Sequence, residues 1–417
     1  MRITSRLAFW HKVLAALLVV GVVPIALVSA VSINATREHL TQLGVTNIQQ
    51  RDTSTSAAID SYVVNRLGDI VVVSTLPDVQ RFAQNAGDPA LRASVRDALK
   101  SAAARSPEYE SVAVVDLDGT IVAASIATDE GTSVKFREYF TVAKMAGTPF
   151  VSDPSYSVIT NKPALFFSAP VRNAAGQVLA VVRSRLNLAA VWSIVEGDVD
   201  SVGTGAHSFL VDDYGIRIAV SETKGHREQA ESLIYTTIAP IDADTAKKLA
   251  ADKRFGLKTP EQLVVDPLPT LRTSLDGLKA GGNSAFSFGA DAAEQRGVVT
   301  RLQTKPWAYV LAVPLATYTR SADDATTQAV LTVLLGIILS MLIGIWLTTS
   351  LVRPLRRLTR QASLVSTGDI DLGVARFDTE SGDDITREVA SAFDRLLNAL
   401  RFYAQSEEGE AAAGGES

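Results

Sequence analysis

The chain has 417 residues, no cysteine and a formal net charge of −5, with 40 Lys and Arg against 45 Asp and Glu. Without cysteine there are no disulfides, thiolate metal sites or cysteine nucleophiles, and His11, His39, His207 and His226 show no ligand spacing, so no metal or other cofactor is expected. The mildly acidic balance argues against a nucleic-acid partner.

Residues 1–12 are a short tail carrying Arg2, Arg6 and Lys12. Residues 13–33 are apolar and uncharged, close to the roughly 20 residues a helix needs to cross a bilayer. A cleaved signal peptide is the alternative, with Val28-Ser29-Ala30 as a small-residue cleavage site. The run is longer than the roughly 7–15 apolar residues of a signal sequence, which favours a retained helix. A second apolar run covers residues 329–349 and is followed by Arg353, Arg356, Arg357 and Arg360. Basic residues flanking a span favour the cytoplasmic side. Both termini are therefore expected inside and residues 34–328 outside, with the arginine cluster near anionic lipid headgroups.

Residues 34 to about 82 read as one long helix. Leu40, Leu43, Ile48, Ala57, Ile59 and Val63 form its apolar stripe, and no proline falls between Pro24 and Pro77. From Ser111 the pattern becomes strand, turn, strand around Asp116-Leu117-Asp118-Gly119. A second hairpin is expected around Asn173-Ala174-Ala175-Gly176. A third, Asp212-Asp213-Tyr214-Gly215, repeats the first about 95 residues later. The repeat predicts two stacked α/β modules, each an antiparallel sheet with flanking helices. Asp116 and Asp118 are read as turn formers rather than metal ligands. The last strand of the outer segment is expected at residues 307–314, stopped by Pro314.

Phe136-Arg137-Glu138-Tyr139-Phe140, the stretch from Gly147 to Pro154, Lys162-Pro163 and Phe167 to Val171 resemble the double Cache family of bacterial extracytoplasmic sensors. The stretch from Gly203 to Gly215 echoes the same pattern. The resemblance implies an α+β fold of two stacked PAS-like Cache modules on a long stalk helix. It also implies a small-molecule ligand in the membrane-distal module, under the loop and helix that carry the arginine motif. The expected ligand residues are Arg137, Tyr139, Phe140, Tyr156, Phe166 and Arg185. In the amino-acid-binding branch of the family an arginine engages the ligand carboxylate and a later-strand aspartate engages its amine. Here Arg137 keeps the first role, and Arg185 stands where the aspartate would be. Two guanidinium groups facing one pocket suit an anionic ligand such as an organic acid. The plainer alternative is that Arg137 only braces its loop and Arg185, sharing a strand face with Arg183, points to solvent.

After the second span, Leu355, Leu358, Ala362 and Val365 recur at heptad spacing. A connector over residues 367–377 follows, then Ile385, Val389, Ala392, Leu396, Ala399 and Tyr403. Pro354, Gly368, Asp383-Asp384-Ile385 and Phe393-Asp394 make residues 350–403 resemble a HAMP linker, although Thr386 stands where that family has glycine. The resemblance implies a parallel helical bundle in a homodimer. Residues 404–417 lack an apolar pattern and are expected to be disordered.

Together these readings predict a two-pass receptor of the bacterial inner (plasma) membrane that is not an enzyme. It would sense an external ligand and signal through HAMP to a cytoplasmic partner. The alternatives are the sensory part of a histidine kinase, cyclase or diguanylate cyclase, and a non-signalling membrane solute-binding protein.

Overall fold

The structure, a computed structural model, describes residues 12, 15–16, 19–197, 199–221, 235–256, 258–290, 293–353, 356–357, 359–360, 363 and 384–413. The chain divides into two compact units, Glu38–Arg320 and Met1–Arg37 with Ser321–Ser417.

Helix α1 is assigned over Val23–Ser74, and its part beyond Arg37 belongs to the Glu38–Arg320 unit. The long helix predicted to reach residue 82 stops earlier. Leu76 is extended and Pro77 opens a new helix, α2 (Pro77–Gln84), because a proline disfavours helical backbone in the residue before it. The buried stripe of α1 also differs from the expected one. Ile48, Ile59, Val63, Ile70 and Val73 are buried, whereas Leu43 and Ala57 are exposed. Helix α3 (Pro89–Ala103) follows, capped by Asp88, whose carboxylate accepts from the Ala90 amide at 2.8 Å.

The first sheet contains β1 (Tyr109–Val115), β2 (Ile121–Ala124), β3 (Phe150–Val151), β4 (Ser155–Tyr156), β5 (Pro163–Arg172) and β6 (Val178–Leu186). Its order is β2-β1-β6-β5-β3, with β4 also on β5, and every pairing is antiparallel. A 3₁₀ turn (Ala127–Asp129) and helix α4 (Glu138–Met145) lie between β2 and β3. Helices α5 (Ala189–Gly197) and α6 (Val199–Val202) lead to the second sheet. That sheet contains β7 (His207–Val211), β8 (Arg217–Val220), β9 (Asn283–Phe288), β10 (Gln295–Arg301) and β11 (Ala308–Pro314), in the order β8-β7-β11-β10-β9. Between β8 and β9 lie α7 (Ala243–Ala251) and α8 (Pro269–Asp276).

The three hairpin turns form where they were expected. Asp116 Oδ1 accepts from the amides of Asp118 (3.0 Å) and Thr120 (2.8 Å). Asp212 Oδ1 accepts in the same way from Tyr214 (2.9 Å) and Ile216 (2.8 Å). Gly119 (φ 84°) and Gly215 (φ 76°) take the left-handed backbone that closes each turn. One face of each sheet packs on α1: Val112, Leu165 and Phe167 join Leu210, Trp307 and Leu311 with Ile59 and Ile70 in a single core. The opposite faces hold separate clusters, around Tyr139, Phe140 and Phe166 in the first sheet and around Phe209, Phe286 and Val310 in the second.

Helix α9 (Leu315–Leu347), whose part from Ser321 belongs to the other unit, ends in a π turn at Thr348–Val352. Among the described residues, two helices are long and apolar enough to cross a membrane, Val19–Ser74 and Leu315–Ser350. Their apolar side chains stand exposed, Val20 by 76% and Leu335 by 66%. Water strongly disfavours such surfaces, so these helices fit a membrane protein. Pro354, Leu355, Leu358, Ala362, Val365, Gly368, Asp383 and the connector at 367–377 lie outside the described residues. Helix α10 (Asp384–Ala413) covers the expected second heptad segment, but Ala390 and Leu397 are buried whereas the expected seam positions Ala392, Leu396 and Ala399 are exposed. It continues through residues 404–413, where disorder was expected, because this stretch is rich in helix-forming Ala, Glu and Gln.

Candidate ligand site

A cleft of about 300 Å³ opens beside α4, between the segment 152–155, the Tyr214 turn and the end of α7. Tyr139 from α4, Asp153, Lys248, Asp252 and Arg254 contribute its chemistry. The α4 end is fixed by a reciprocal contact. Arg137, the residue preceding α4, is 1% exposed and donates to the Asp252 carbonyl at 2.7 Å and to the Tyr156 carbonyl at 2.5 Å. The Asp252 carboxylate in turn accepts from the Glu138 amide at 3.2 Å, at the N-terminus of α4. Burial raises the Asp252 carboxyl above its ordinary range, against the opposing pull of Arg137 and the Glu138 amide. The Tyr139 ring stacks on Phe166 with centroids 4.8 Å apart, and burial raises its phenol pKa.

Arg254 is 2% exposed and ties three segments together. It pairs with the Asp212 carboxylate, with Asp153 at 3.4 Å, and donates to the Pro154 carbonyl at 3.3 Å. Asp153 also accepts from Trp307 Nε1 (2.7 Å) and Lys305 (3.2 Å). The two carboxyls are pushed apart. Burial outweighs Arg254 at Asp212 and lifts it to about 6. Arg254 and Lys305 outweigh burial at Asp153 and hold it below the usual range. Lys248 differs from these cations. Its Nζ meets the Tyr214 hydroxyl at 3.0 Å, and it forms no ion pair among the described residues.

The sequence-predicted residues gather around Phe166: Tyr139 stacks on it, Phe140 shares its cluster, the Arg137 guanidinium lies 6.0 Å from its ring, and Arg185 is its strand partner. Tyr139 lines the cleft, and Tyr156 reaches Arg137 only through its carbonyl. Phe140 and Phe166 pack in the cluster behind it. Arg137 is spent on Asp252 and Tyr156, as the brace that was the plainer alternative. Arg185 does not point to solvent. It faces the Tyr139 side at 2% exposure, but Nε meets Glu110 at 3.0 Å and Nη1 meets Asp129 at 3.2 Å. Arg183 shares Asp129 at 2.9 Å, and Ser111 donates to the same carboxylate at 2.6 Å. Both guanidinium groups expected to face one pocket thus have protein partners, Asp252 and Tyr156 for Arg137, Glu110 and Asp129 for Arg185. Carboxylates already neutralise Arg183 and Arg185, because two buried cations two residues apart require them. Sequence reasoning missed Asp129, Lys248, Asp252 and Arg254. They lie far along the chain from the residues they meet, and no local motif marks them.

Two antiparallel sheets of matching order, both backed on one long helix, define a helix-backed α+β domain. Residues 20–322 match the Cache domain family (dCache_1), and the chain belongs to it. No curated protein matches the chain. The sensor domain of the V. cholerae histidine kinase DctB is 12% identical, with 66% of this chain and 98% of that one covered and a TM-score of 0.52. The ligand-binding domain of the Pseudomonas fluorescens chemoreceptor CtaA, solved with L-alanine, is 16% identical over 66% and 98% of the two chains, with a TM-score of 0.44. That of the Pseudomonas aeruginosa PAO1 amino-acid chemoreceptor PctC, solved with GABA, is 18% identical over 64% and 99%, with a TM-score of 0.42. The chain thus carries a Cache domain whose fold is similar to that of the DctB sensor domain.

Proposed function

We propose that the protein is a two-pass membrane receptor of the inner membrane. Its Cache domain senses a small extracytoplasmic ligand, and the signal passes inward to a cytoplasmic partner. The observation that carries this reading is the placement of the Cache match, residues 20–322, against two helices apolar enough to cross a membrane. In this reading residues 350–403 act as a HAMP bundle in a homodimer, the two sheets are the PAS-like modules, and the chain itself does no catalysis. A ligand shifts such a receptor only through different affinities for its two states.

The ligand site is the cleft beside α4, and the ligand carries an anionic group. Lys248 supports this, because a cation on the cleft wall that donates to a phenol and forms no ion pair among the described residues has capacity for a carboxylate. Arg137 and Arg185 are not its anchors. A second reading, the sensory part of a histidine kinase, is raised by the DctB likeness and keeps the same ligand site with a different output.

The test is calorimetric titration of the full chain in lipid nanodiscs with small organic acids and with amino acids. At least one acid should bind saturably, and Lys248→Gln should weaken it roughly tenfold, the worth of one charge-assisted contact. Equal affinity in the variant would remove Lys248 from the site. Binding of amino acids alone would replace the organic-acid assignment.

A further inference from the structure

The second sheet holds a separate cavity of about 340 Å³ on the face turned away from α1. Its wall is aromatic. His207 stacks on Phe209 with centroids 6.4 Å apart and meets Phe288 edge-on at 6.1 Å, and Phe288 stacks on Phe286 at 5.6 Å. Leu268, just before α8, lines the same space. One cation enters this wall. Arg217 of β8 has a side chain only 15% exposed, with its guanidinium 4.7 Å from the centre of the Phe209 ring. Its Nη2 meets Asp266 at 2.8 Å, and its Nη1 reaches the Thr236 hydroxyl at 3.5 Å. Its Nε has no hydrogen-bond partner among the described residues. Asp266, its carboxylate partner, is 55% exposed.

We propose that this cavity is a second ligand site, for a small carboxylate with an aromatic or branched apolar body. A mostly buried guanidinium held by one exposed carboxylate and a 3.5 Å hydroxyl contact has capacity at Nη1 and Nη2, and a planar carboxylate fills it. Asp266 holds the guanidinium only from the solvent side. An exposed ion pair contributes little, so an incoming carboxylate can displace it. The ring wall takes the apolar body and offers little to a hydrated inorganic anion. The volume is at the lower end of the roughly 300–1,000 Å³ typical of ligand pockets, which suits a single ring. Among the described residues, no lining residue is shared with the cleft beside α4. The site therefore stands or falls independently of the function proposed above.

The test uses the full chain in nanodiscs with phenylacetate as probe and benzyl alcohol as its uncharged counterpart, read by calorimetry. Phenylacetate should bind saturably and more tightly than benzyl alcohol. Arg217→Gln should weaken phenylacetate roughly ten- to hundredfold, the range for a charged hydrogen bond. Leu268→Trp should abolish binding by filling the cavity. Asp266→Asn, an exposed change, should tighten it by removing the competing carboxylate, and Lys248→Gln should leave it unchanged. Circular dichroism melts identify any variant that fails to fold, and Asp266→Asn then decides alone: unchanged or weaker binding overturns the proposal. So does the absence of saturable binding in the millimolar range, equal affinity in wild type and Arg217→Gln, or a loss on Lys248→Gln, which would place the probe in the other cleft.

Discussion

The β1–β2 turn and the β7–β8 turn use the same device, an aspartate accepting two amides and a glycine closing the loop. Yet Asp116 remains partly exposed, while Asp212 is 3% exposed and also holds Arg254. The sheet faces diverge further. The first buries Arg183, Arg185 and Asp129, and the second lines its face with Phe209, Phe286 and Phe288. The same strand order and turn thus frame a face that adds a buried charge cluster to its aromatic residues in one sheet and a mainly aromatic face with Arg217 against Phe209 in the other. Turn chemistry is set within four residues, but the chemistry of a face depends on what the rest of the chain brings to it.

The largest expected contrast comes from the paired turn aspartates. Asp116→Ala removes turn acceptors and should cost about 1 kcal/mol. Asp212→Ala removes the same acceptors and leaves Arg254 buried with only Asp153, which should cost about 3–5 kcal/mol, the range for breaking a buried pair. Denaturant unfolding of the two variants measures the difference. Equal losses would mean that Arg254 draws nothing from Asp212.

A contrast in pH dependence comes next. Burial lifts the Asp212 carboxyl to about 6 from an ordinary 3.8, so the folded protein holds that proton more tightly than the unfolded chain. The contribution of Asp212 to stability is therefore fully present below 3.8 and is lost as the pH rises towards about 6. Asp129 behaves in the opposite sense. Burial opposes its charge, but the Ser111 hydroxyl with Arg183 and Arg185 outweighs burial and holds it below the ordinary range. Its contribution is present above the ordinary carboxylate range and is lost as the pH falls through the depressed value. Thermal melts across the acid range should show the share of Asp212 vanish in Asp212→Asn. The acid-side loss due to Asp129 should vanish in Asp129→Asn, which is less stable at neutral pH. A pH profile unchanged by Asp212→Asn would break the contrast.

The turns were legible in the sequence because Asp-x-x-Gly acts through its own backbone, and strand alternation put Arg183 and Arg185 on one face. What that face meets was not legible. Asp129 approaches Arg183 across 54 residues of chain, and Asp252 approaches Arg137 across 115. No periodicity encodes such distant contacts. Arg137 was singled out as a ligand residue, but its protein partners depend on where α7 ends. The early stop of α1 was visible at Pro77, although the helical pattern continues past it.

The smallest contrast separates the two turn glycines. Both have positive φ, so an alanine at either position carries left-handed strain of about 1–2 kcal/mol. What the new methyl meets then differs. At Gly119 it would stand 2.6 Å from the Lys135 Cα, which belongs to the backbone and whose neighbouring Val134 amide is bonded to the Gly119 carbonyl at 2.7 Å. At Gly215 it would stand 2.8 Å from Cγ1 of Ile238, a side-chain atom that a rotamer change can withdraw. Gly119→Ala should therefore lose more stability than Gly215→Ala, by about 1 kcal/mol, the scale of an overpacked contact that cannot relax. Equal melting temperatures for the two variants would show that the 133–135 segment yields as easily as one isoleucine. Gly119→Ala should also move the amide resonances of Val134 and Lys135, and Gly215→Ala should move mainly the Ile238 methyl groups.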